Sequence, residues 1–171
     1  TRRQLLELAA VVDRREAVED GHSFTVALLA ARIARRLELP HELVEASWLA
    51  GLLHDIGKIP LPEELLRRGT PLSGVDRERD ARHTVDGAEL ASRIPSASHV
   101  AGIVRALHEH LDGSGRPDGL AGAAIPPEAR VVAVAERLVS MTAERPHRAA
   151  TGLTSSLAEI WRVAGARFDP L

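Results

Sequence analysis

Four separated histidines, one of them followed by an aspartate, and a late glutamate lie within or at the end of apolar stretches with helical spacing. Burying an unpaired polar side chain in such a helix costs free energy, so each of these residues requires a partner. Imidazole and carboxylate groups together suit divalent transition metals, and one shared ion compensates several buried groups at once. The residues are His22, His54, Asp55, His83, His108 and Glu136. The sequence therefore predicts a fold in which distant helices meet around a metal.

Apolar periodicity predicts helices along most of the chain. They are expected over about 3–18, 22–39, 40–54, 62–68, 83–92, 127–144 and 155–166, with a short helix after Ser73 and an apolar helical stripe from Val100 to Leu111. A glycine-rich loop is expected from Asp112 to Ile125. No stretch alternates with period two for long enough to predict a sheet. The expected fold class is an all-α, single-domain helical bundle with a metal site in its core.

Composition limits the class of protein. The chain has 171 residues, 44 % of them hydrophobic, so one domain over residues 1–171 with a full core is expected. The chain contains no cysteine, so a metal must be held by nitrogen and oxygen. The net charge of -2, with two Phe, two Trp and no Tyr, argues against nucleic-acid binding by this domain. There is no long apolar run or signal peptide, so a cytoplasmic protein without membrane contact is expected.

The adjacent pair His54 and Asp55 carries the sharpest chemical prediction. On a helix the two side chains would lie about 100° apart, so one ion fits between them while the second Asp55 oxygen can bridge to another. Lys58 follows at a spacing that reaches the same place, where it would hold a phosphate. Any single buried histidine is more often a satisfied core residue. The combination of several histidines near inward faces, and not each one alone, predicts the metal.

The string His54-Asp55-Ile56-Gly57-Lys58 resembles the signature of the HD superfamily of metal-dependent phosphohydrolases, and the other motifs resemble its HD-GYP branch. The matching segments are Gly21-His22-Ser23, His83 with Gly87, His108-Glu109, 111–120, 129–136, 145–148 and 168–170. Their order and spacing both agree with that branch. The resemblance covers essentially the whole chain, and it implies the helical HD-domain fold.

Five positions depart from the pattern of the HD-GYP branch. Leu107 stands where the branch usually has the first histidine of His-His-Glu, and Arg116 replaces the tyrosine of Gly-Tyr-Pro. Glu136 replaces an aspartate, and His147 replaces the tyrosine of Arg-Pro-Tyr-Arg. Val18 occupies the position of a glutamate that holds a third metal in some relatives. A weakened second metal site is therefore expected, and a third ion is not.

The resemblance implies hydrolysis of a phosphodiester, in the first place cyclic di-GMP, by a metal-activated hydroxide that attacks phosphorus in line. One or two ions are expected, with iron or manganese favoured and zinc, cobalt and nickel also compatible. The hypothesis gives Asp55 and Lys58 catalytic roles and assigns the metal to the six residues named first. Phosphate contacts are expected from Lys58, Arg116, Arg145 and Arg148. A solvated surface is the competing interpretation for the three arginines.

Three alternatives stay open at this point. A regulatory module that binds metal or nucleotide and signals to a partner domain would tolerate Leu107 and Arg116. A phosphohydrolase for a different nucleotide would fit the loss of an aromatic side chain that stacks on a base. A plain helical interaction domain is the third. The abrupt ends suggest excision from a longer protein with a sensory or DNA-binding domain, and the Leu-rich first helix is a candidate homodimer surface.

Overall fold

The computed structural model describes residues 1–16, 21–66, 74–144 and 149–170, without the side chains of Arg77 and Asp80. These residues form nine α-helices, three short 3-10 helices and no strand, which confirms the all-α prediction. The α-helices are α1 (Arg2–Arg15), α2 (His22–Arg36), α3 (His41–Leu52), α4 (Glu63–Leu66), α5 (Gly74–Ala81), α6 (His83–Ser92), α7 (Ala101–Arg105), α8 (Pro127–Thr142) and α9 (Leu153–Arg162). Among the described helices, none has both the length and the apolar character needed to cross a membrane.

The core is built around α2, which packs most extensively on α3 and then on α8. Its inward face consists of small residues, among them Ala27, Ala30 and Ala34, all fully buried. Gly51 of α3 faces this surface, and a Cβ added there would lie 3.0 Å from the Ala27 Cα. Small side chains on both helices allow a close approach of the two backbones. The approach brings the start of α2 near the end of α3, where three of the predicted metal ligands lie.

A buried carboxylate from α1 supports the start of α2. Gly21 has a φ of 85°, in the left-handed region, and α2 begins at the next residue, His22. The Asp13 carboxylate accepts hydrogen bonds from the backbone N–H of Ser23, at 3.2 and 3.3 Å, and from its hydroxyl, at 2.6 Å. The Asp13 carboxylate thus accepts a hydrogen bond from a free N–H at the start of α2, as an N-cap side chain would, although it comes from another helix. The contact holds the backbone next to His22 in place.

Two predicted helices end before the candidate ligands that they were expected to carry. The helix predicted to reach His54 ends at Leu52, so His54 and Asp55 lie in the turn after it, and Lys58 closes the 3-10 helix Ile56–Lys58. The His54 Nδ1 contacts the Gly51 carbonyl oxygen at 2.9 Å, taking an acceptor that a continuing helix would use. The stripe from Val100 to Leu111 is likewise not one helix, because α7 ends at Arg105 and His108 follows in a turn.

Candidate metal centre

His22, His54 and Asp55 form a buried cluster at the junction of α2 and the turn after α3. One potential ligand atom from each residue lies within 4.8 Å of the others. The three residues are only 4 %, 3 % and 7 % exposed. The centroids of the two imidazole rings are 5.5 Å apart. Two imidazole nitrogens and a carboxylate oxygen, brought together from two backbone segments, are a donor set that divalent transition metals accept.

His54 is oriented for ligation by its outer ring nitrogen. With Nδ1 as the donor to the Gly51 carbonyl, a neutral ring turns the lone pair of Nε2 toward the Asp55 carboxylate. Nε2 lies 3.0 Å from Asp55 Oδ2, yet it is buried and makes no hydrogen bond with any described group. Two lone pairs at that distance repel unless a cation or a proton lies between them. The buried nitrogen therefore fits a metal ligand.

The second oxygen of Asp55 faces a second pair of histidines. Asp55 Oδ1 lies 3.7 Å from the Nε2 of His83, the first residue of α6. The Nε2 atoms of His83 and His108 are 3.0 Å apart, and their ring centroids are 4.9 Å apart. Asp55 consequently stands between two groups of imidazoles, one at each carboxylate oxygen. This arrangement suits a carboxylate that bridges two ions.

The surroundings shift the pKa values of His54, Asp55 and His108 in different directions. Burial opposes the charged form of His54, but the Asp55 carboxylate outweighs burial and raises the pKa of His54 to about 9. Without a bound cation, a proton therefore occupies Nε2 beside Asp55, and a metal ion would have to displace it. Burial also disfavours the Asp55 carboxylate, but His54 and Lys58 hold its pKa well below the usual value. Burial, reinforced by His83, lowers the pKa of His108 to about 3. His108 is therefore neutral and keeps a lone pair, as ligation requires.

Lys58 is held by two carboxylates. Its ammonium nitrogen lies 2.9 Å from Asp55 Oδ2 and 2.7 Å from Oε1 of Glu16, which follows α1. Burial raises the pKa of Glu16 to about 7, with Asp55 adding to the rise and Lys58 opposing it. The carboxylates outweigh the effect of burial on Lys58 and raise its pKa. The positive charge of Lys58 is thus balanced by two carboxylates of the protein. The contact between Lys58 and a phosphate stays a prediction.

A close contact between two backbones brings His83 to Asp55. A Cβ added at Gly57 would lie 1.8 Å from the His83 carbonyl oxygen and 2.4 Å from the Gly87 nitrogen. A Cβ added at Gly87 would lie 3.2 Å from the Gly57 nitrogen. The turn after Asp55 therefore lies directly on the first turn of α6, and only glycine fits at position 57. This contact explains why both glycines accompany the histidine motifs.

The other predicted site residues differ in their surroundings. Glu136 is half-buried on α8, and its negative charge contributes to the raised pKa of His54. It lines a small pocket together with His108. Arg116 is exposed on the loop after His108, and Leu107 is buried in the apolar core. The remaining predicted positions lie outside the described residues: Arg145, Arg148, Val18 and His147.

Three acids near the site were not predicted from the sequence: the buried Asp13 and Glu109 and the half-buried Glu16. Asp13 follows Leu5 and Ala9 at intervals of four residues, so the inward stripe of α1 continues through an acid. Glu16 continues the same stripe three residues later. An acid on an apolar helical face is the signal that would have identified both. Glu109 adjoins a predicted ligand, but its partners lie in a loop that periodicity does not describe.

The family model described as HD domain matches residues 5–171. The chain belongs to the HD-domain family. It is 35 % identical over 171 residues to the cyclic di-GMP phosphodiesterase response regulator RpfG of Xanthomonas campestris pv. campestris, covering 99 % of this chain and 45 % of that protein. It is 37 % identical over 146 residues to 3'3'-cGAMP-specific phosphodiesterase 1 of Vibrio cholerae, covering 85 % of this chain and 34 % of that protein. This HD domain spans less than half the length of both relatives.

Solved structures share the fold. The crystal structure of a cyclic GMP-AMP-specific phosphodiesterase of Vibrio cholerae, V-cGAP3, superposes with a TM-score of 0.73 at 21 % identity, covering 98 % of this chain and 45 % of that one. Bd1817, described as an HDG"Y"P protein from Bdellovibrio bacteriovorus, superposes with a TM-score of 0.68 at 21 % identity, covering 86 % and 47 %. The predicted helical bundle of the HD-domain type is confirmed.

Proposed function

We propose that this HD domain is a metal-dependent phosphodiesterase that hydrolyses a cyclic dinucleotide, with cyclic di-GMP as the first candidate substrate. The observation that carries the proposal is the position of Asp55, with His54 at one carboxylate oxygen and His83 at the other. A divalent metal bound there supplies Lewis acidity and a strong nucleophile at neutral pH. The relatives named as cyclic di-GMP and 3'3'-cGAMP phosphodiesterases support this class of substrate.

In the proposed site the ligands fall into two sets that share Asp55. His22 and His54 belong to the first set, and His83 and His108 belong to the second. Glu136 completes the ligands from α8. Iron or manganese is the proposed metal, because the donors are imidazole nitrogen and carboxylate oxygen, and zinc, cobalt and nickel stay compatible with the same donors.

The chain's own residues orient the donors and bind the substrate. The Gly51 carbonyl fixes the His54 ring through its Nδ1, and burial of the cluster excludes bulk water. Arg116 stands on the loop next to His108 and is proposed to contact phosphate oxygens through its forked donors. Arg145 and Arg148 are proposed to do the same from the segment after α8. Lys58 pairs with Asp55 and Glu16 and is proposed to add positive charge near the scissile phosphate as well.

A metal inventory and a product analysis test the proposal. Protein purified without oxygen is expected to contain one or two transition-metal ions per chain and to convert cyclic di-GMP to a linear product. The variant Asp55→Ala should lose hydrolysis while keeping its helical content, and His41→Ala, at an exposed histidine, should keep both. Unchanged turnover in Asp55→Ala would contradict the assignment.

A second candidate function is a regulatory HD domain that binds nucleotide without hydrolysing it. It is favoured by Leu107, which is only 5 % exposed and places an apolar core residue where the branch usually has a histidine. Such a site would hold its second ion weakly. Tight binding of cyclic di-GMP without linear product, in protein with full metal occupancy, would favour this alternative. Hydrolysis assays with 3'3'-cGAMP and mononucleotides distinguish a cyclic di-GMP phosphodiesterase and a regulatory domain from a hydrolase that acts on another nucleotide.

A further inference from the structure

We propose that Glu109 is a positioning residue, which fastens the loop of residues 112–121 to His108 and thereby sets the position of Arg116. This inference rests on the proposed function, because it concerns how the same site receives a phosphate. Glu109 does not touch the metal cluster in the described contacts; it acts through the loop backbone. The loop segment 112–121 is called the phosphate loop below.

The Glu109 carboxylate binds the backbone of the phosphate loop from its buried side. Glu109 is only 4 % exposed, so its charge needs hydrogen-bond donors within the protein. One carboxylate oxygen accepts the backbone N–H of Asp118 at 2.7 Å, and the other accepts that of Leu120 at 3.0 Å. Each oxygen therefore holds a different backbone amide of the same loop. A charged acceptor makes such bonds stronger than those of a neutral amide.

The backbone of the phosphate loop lies directly on the segment that carries His108. The Arg116 N–H donates to the His108 carbonyl at 2.9 Å. A Cβ added at Gly115 would lie 2.1 Å from the His110 nitrogen and 2.4 Å from the Glu109 Cα. There is consequently no space between loop and segment at this point. A shift of the loop would move Arg116 relative to His108.

An ion pair fastens the outer side of the same loop. The Arg105 guanidinium, at the end of α7, donates from two nitrogens to the two Asp118 oxygens, each at 2.7 Å. Both partners are more than a third exposed, so this pair contributes little free energy by itself. Its forked geometry nevertheless restricts the direction of the loop at Asp118. Asp118 is thus held at its backbone by Glu109 and at its side chain by Arg105.

These contacts make the position of Arg116 depend on Glu109. The variant Glu109→Gln keeps the shape of the side chain but replaces one acceptor oxygen with an amide group. That group would point two N–H donors at a backbone N–H, so one of the two loop bonds is lost. The expected result is a loop that opens locally, with the helical core unchanged. Substrate binding should then weaken more than the chemical step.

Hydrogen exchange tests the fastening without substrate or turnover. In Glu109→Gln, the amides of Asp118 and Leu120 should exchange about tenfold faster or more, as expected when a local bond is lost. The matched control is Glu89→Gln, because Glu89 is exposed on α6 and pairs only with Arg93 in the described contacts. The control should leave exchange in the phosphate loop unchanged. Unchanged exchange in Glu109→Gln would overturn the proposal.

Steady-state kinetics test the effect on Arg116. Glu109→Gln should raise KM for cyclic di-GMP about tenfold and change kcat little, which indicates lost binding and not a lost folded fraction. In an Arg116→Ala background, Glu109→Gln should add almost nothing to KM, because the two residues act as one unit. Additive effects, or a fall in kcat alone, would overturn a positioning role.

Two further measurements keep the outcome decisive. If Glu109→Gln does not fold, Arg105→Gln serves as the second variant, because it removes the exposed ion pair with Asp118. It should raise KM for cyclic di-GMP by a smaller factor, and this rise should disappear in an Arg116→Ala background. If the wild-type chain does not hydrolyse cyclic di-GMP, the proposed function fails, and the same comparisons are made on the Kd for cyclic di-GMP. Wild-type protein that neither hydrolyses nor binds this ligand would overturn the inference as well.

Discussion

Gly57 determines, as a single residue, whether Asp55 and His83 can meet. Its missing side chain allows the turn after Asp55 to rest on the first turn of α6, where an added Cβ would overlap the His83 carbonyl oxygen. A larger residue must push the two segments apart. The candidate metal centre therefore depends on a residue that offers no ligand.

Gly57→Ala is expected to destabilise the fold, because an added methyl group meets backbone atoms and cannot be accommodated by a rotamer change. The cost should be about 1–3 kcal/mol or more, measured by urea unfolding. Gly102→Ala is the control, since no atom lies within 4 Å of its added Cβ and α7 is helical there. Alanine should stabilise that position by up to about 1 kcal/mol. Equal stability of the two variants would show that the turn and α6 do not touch at this point in solution.

Residue types and spacing led to six candidate ligands, three of which the structure places in one group, but they did not predict the acids that support the site. His22, His54 and Asp55 do lie together, as the apolar surroundings of each suggested. The partners of Glu16 and Glu109 come from segments 42 and at least 9 residues away along the chain, as the Lys58 and Asp118 contacts show. One-dimensional periodicity does not report such pairings.

The end of α1 is the element that supports the metal cluster from outside. Within four residues it contributes three contacts: Asp13 to Ser23, Arg15 to the carbonyls of Ile59 and Leu61, and Glu16 to Lys58. The first fixes the start of α2, and the other two fix the turn after Asp55. Both segments that carry the first ligand set are therefore attached to α1.

Asp13→Ala should loosen the start of α2 and weaken metal binding through His22. Loss of a capping carboxylate costs about 1–2 kcal/mol, and the Ser23 amide should exchange faster. The Kd for manganese should rise, measured by calorimetry. Glu7→Ala on the same helix removes an exposed partner of Arg3, which is worth about 0.3–0.5 kcal/mol, and should leave the Kd unchanged. A Kd that rises equally in both variants would remove the special role of Asp13.

Helix ends were the least predictable feature at the element scale. Helix α6 occupies the expected range, and α8 begins at the expected Pro127, whose fixed φ suits the first turn. In contrast, α3 ends early because the His54 ring takes the Gly51 carbonyl oxygen that another helical turn would use. Helix α7 gives way after Arg105 to hydrogen bonds with three-residue spacing, from the N–H of Leu107 to the Val104 carbonyl and from that of Glu109 to the Ala106 carbonyl. Apolar periodicity continued past both ends because it reports burial, not hydrogen bonding.

The whole molecule separates an apolar core from a polar site at its edge. The core of α2, α3 and α8 is packed with aliphatic residues and alanines, and it does not require the metal cluster for its burial. The candidate ligands come from the start of α2, the turn after α3, the start of α6, the turn after α7 and the middle of α8. A fold of this kind should keep its helices when the metal is removed, in contrast to small domains that fold only around an ion.

Manganese is expected to stabilise this HD domain without changing its helical content. At a free concentration of about 100 times Kd, one bound ion adds about 2.7 kcal/mol, which raises Tm by about 5–10 °C in a chain of this length. Chelation should reverse the shift while far-UV circular dichroism stays constant, since the core is independent of the site. His54→Ala should abolish the shift, because the oriented Nε2 is lost, whereas His41→Ala, at the exposed start of α3, should retain it in full. An undiminished shift in His54→Ala would place the bound ion elsewhere in the molecule, and a loss of helicity on chelation would contradict the separation of core and site.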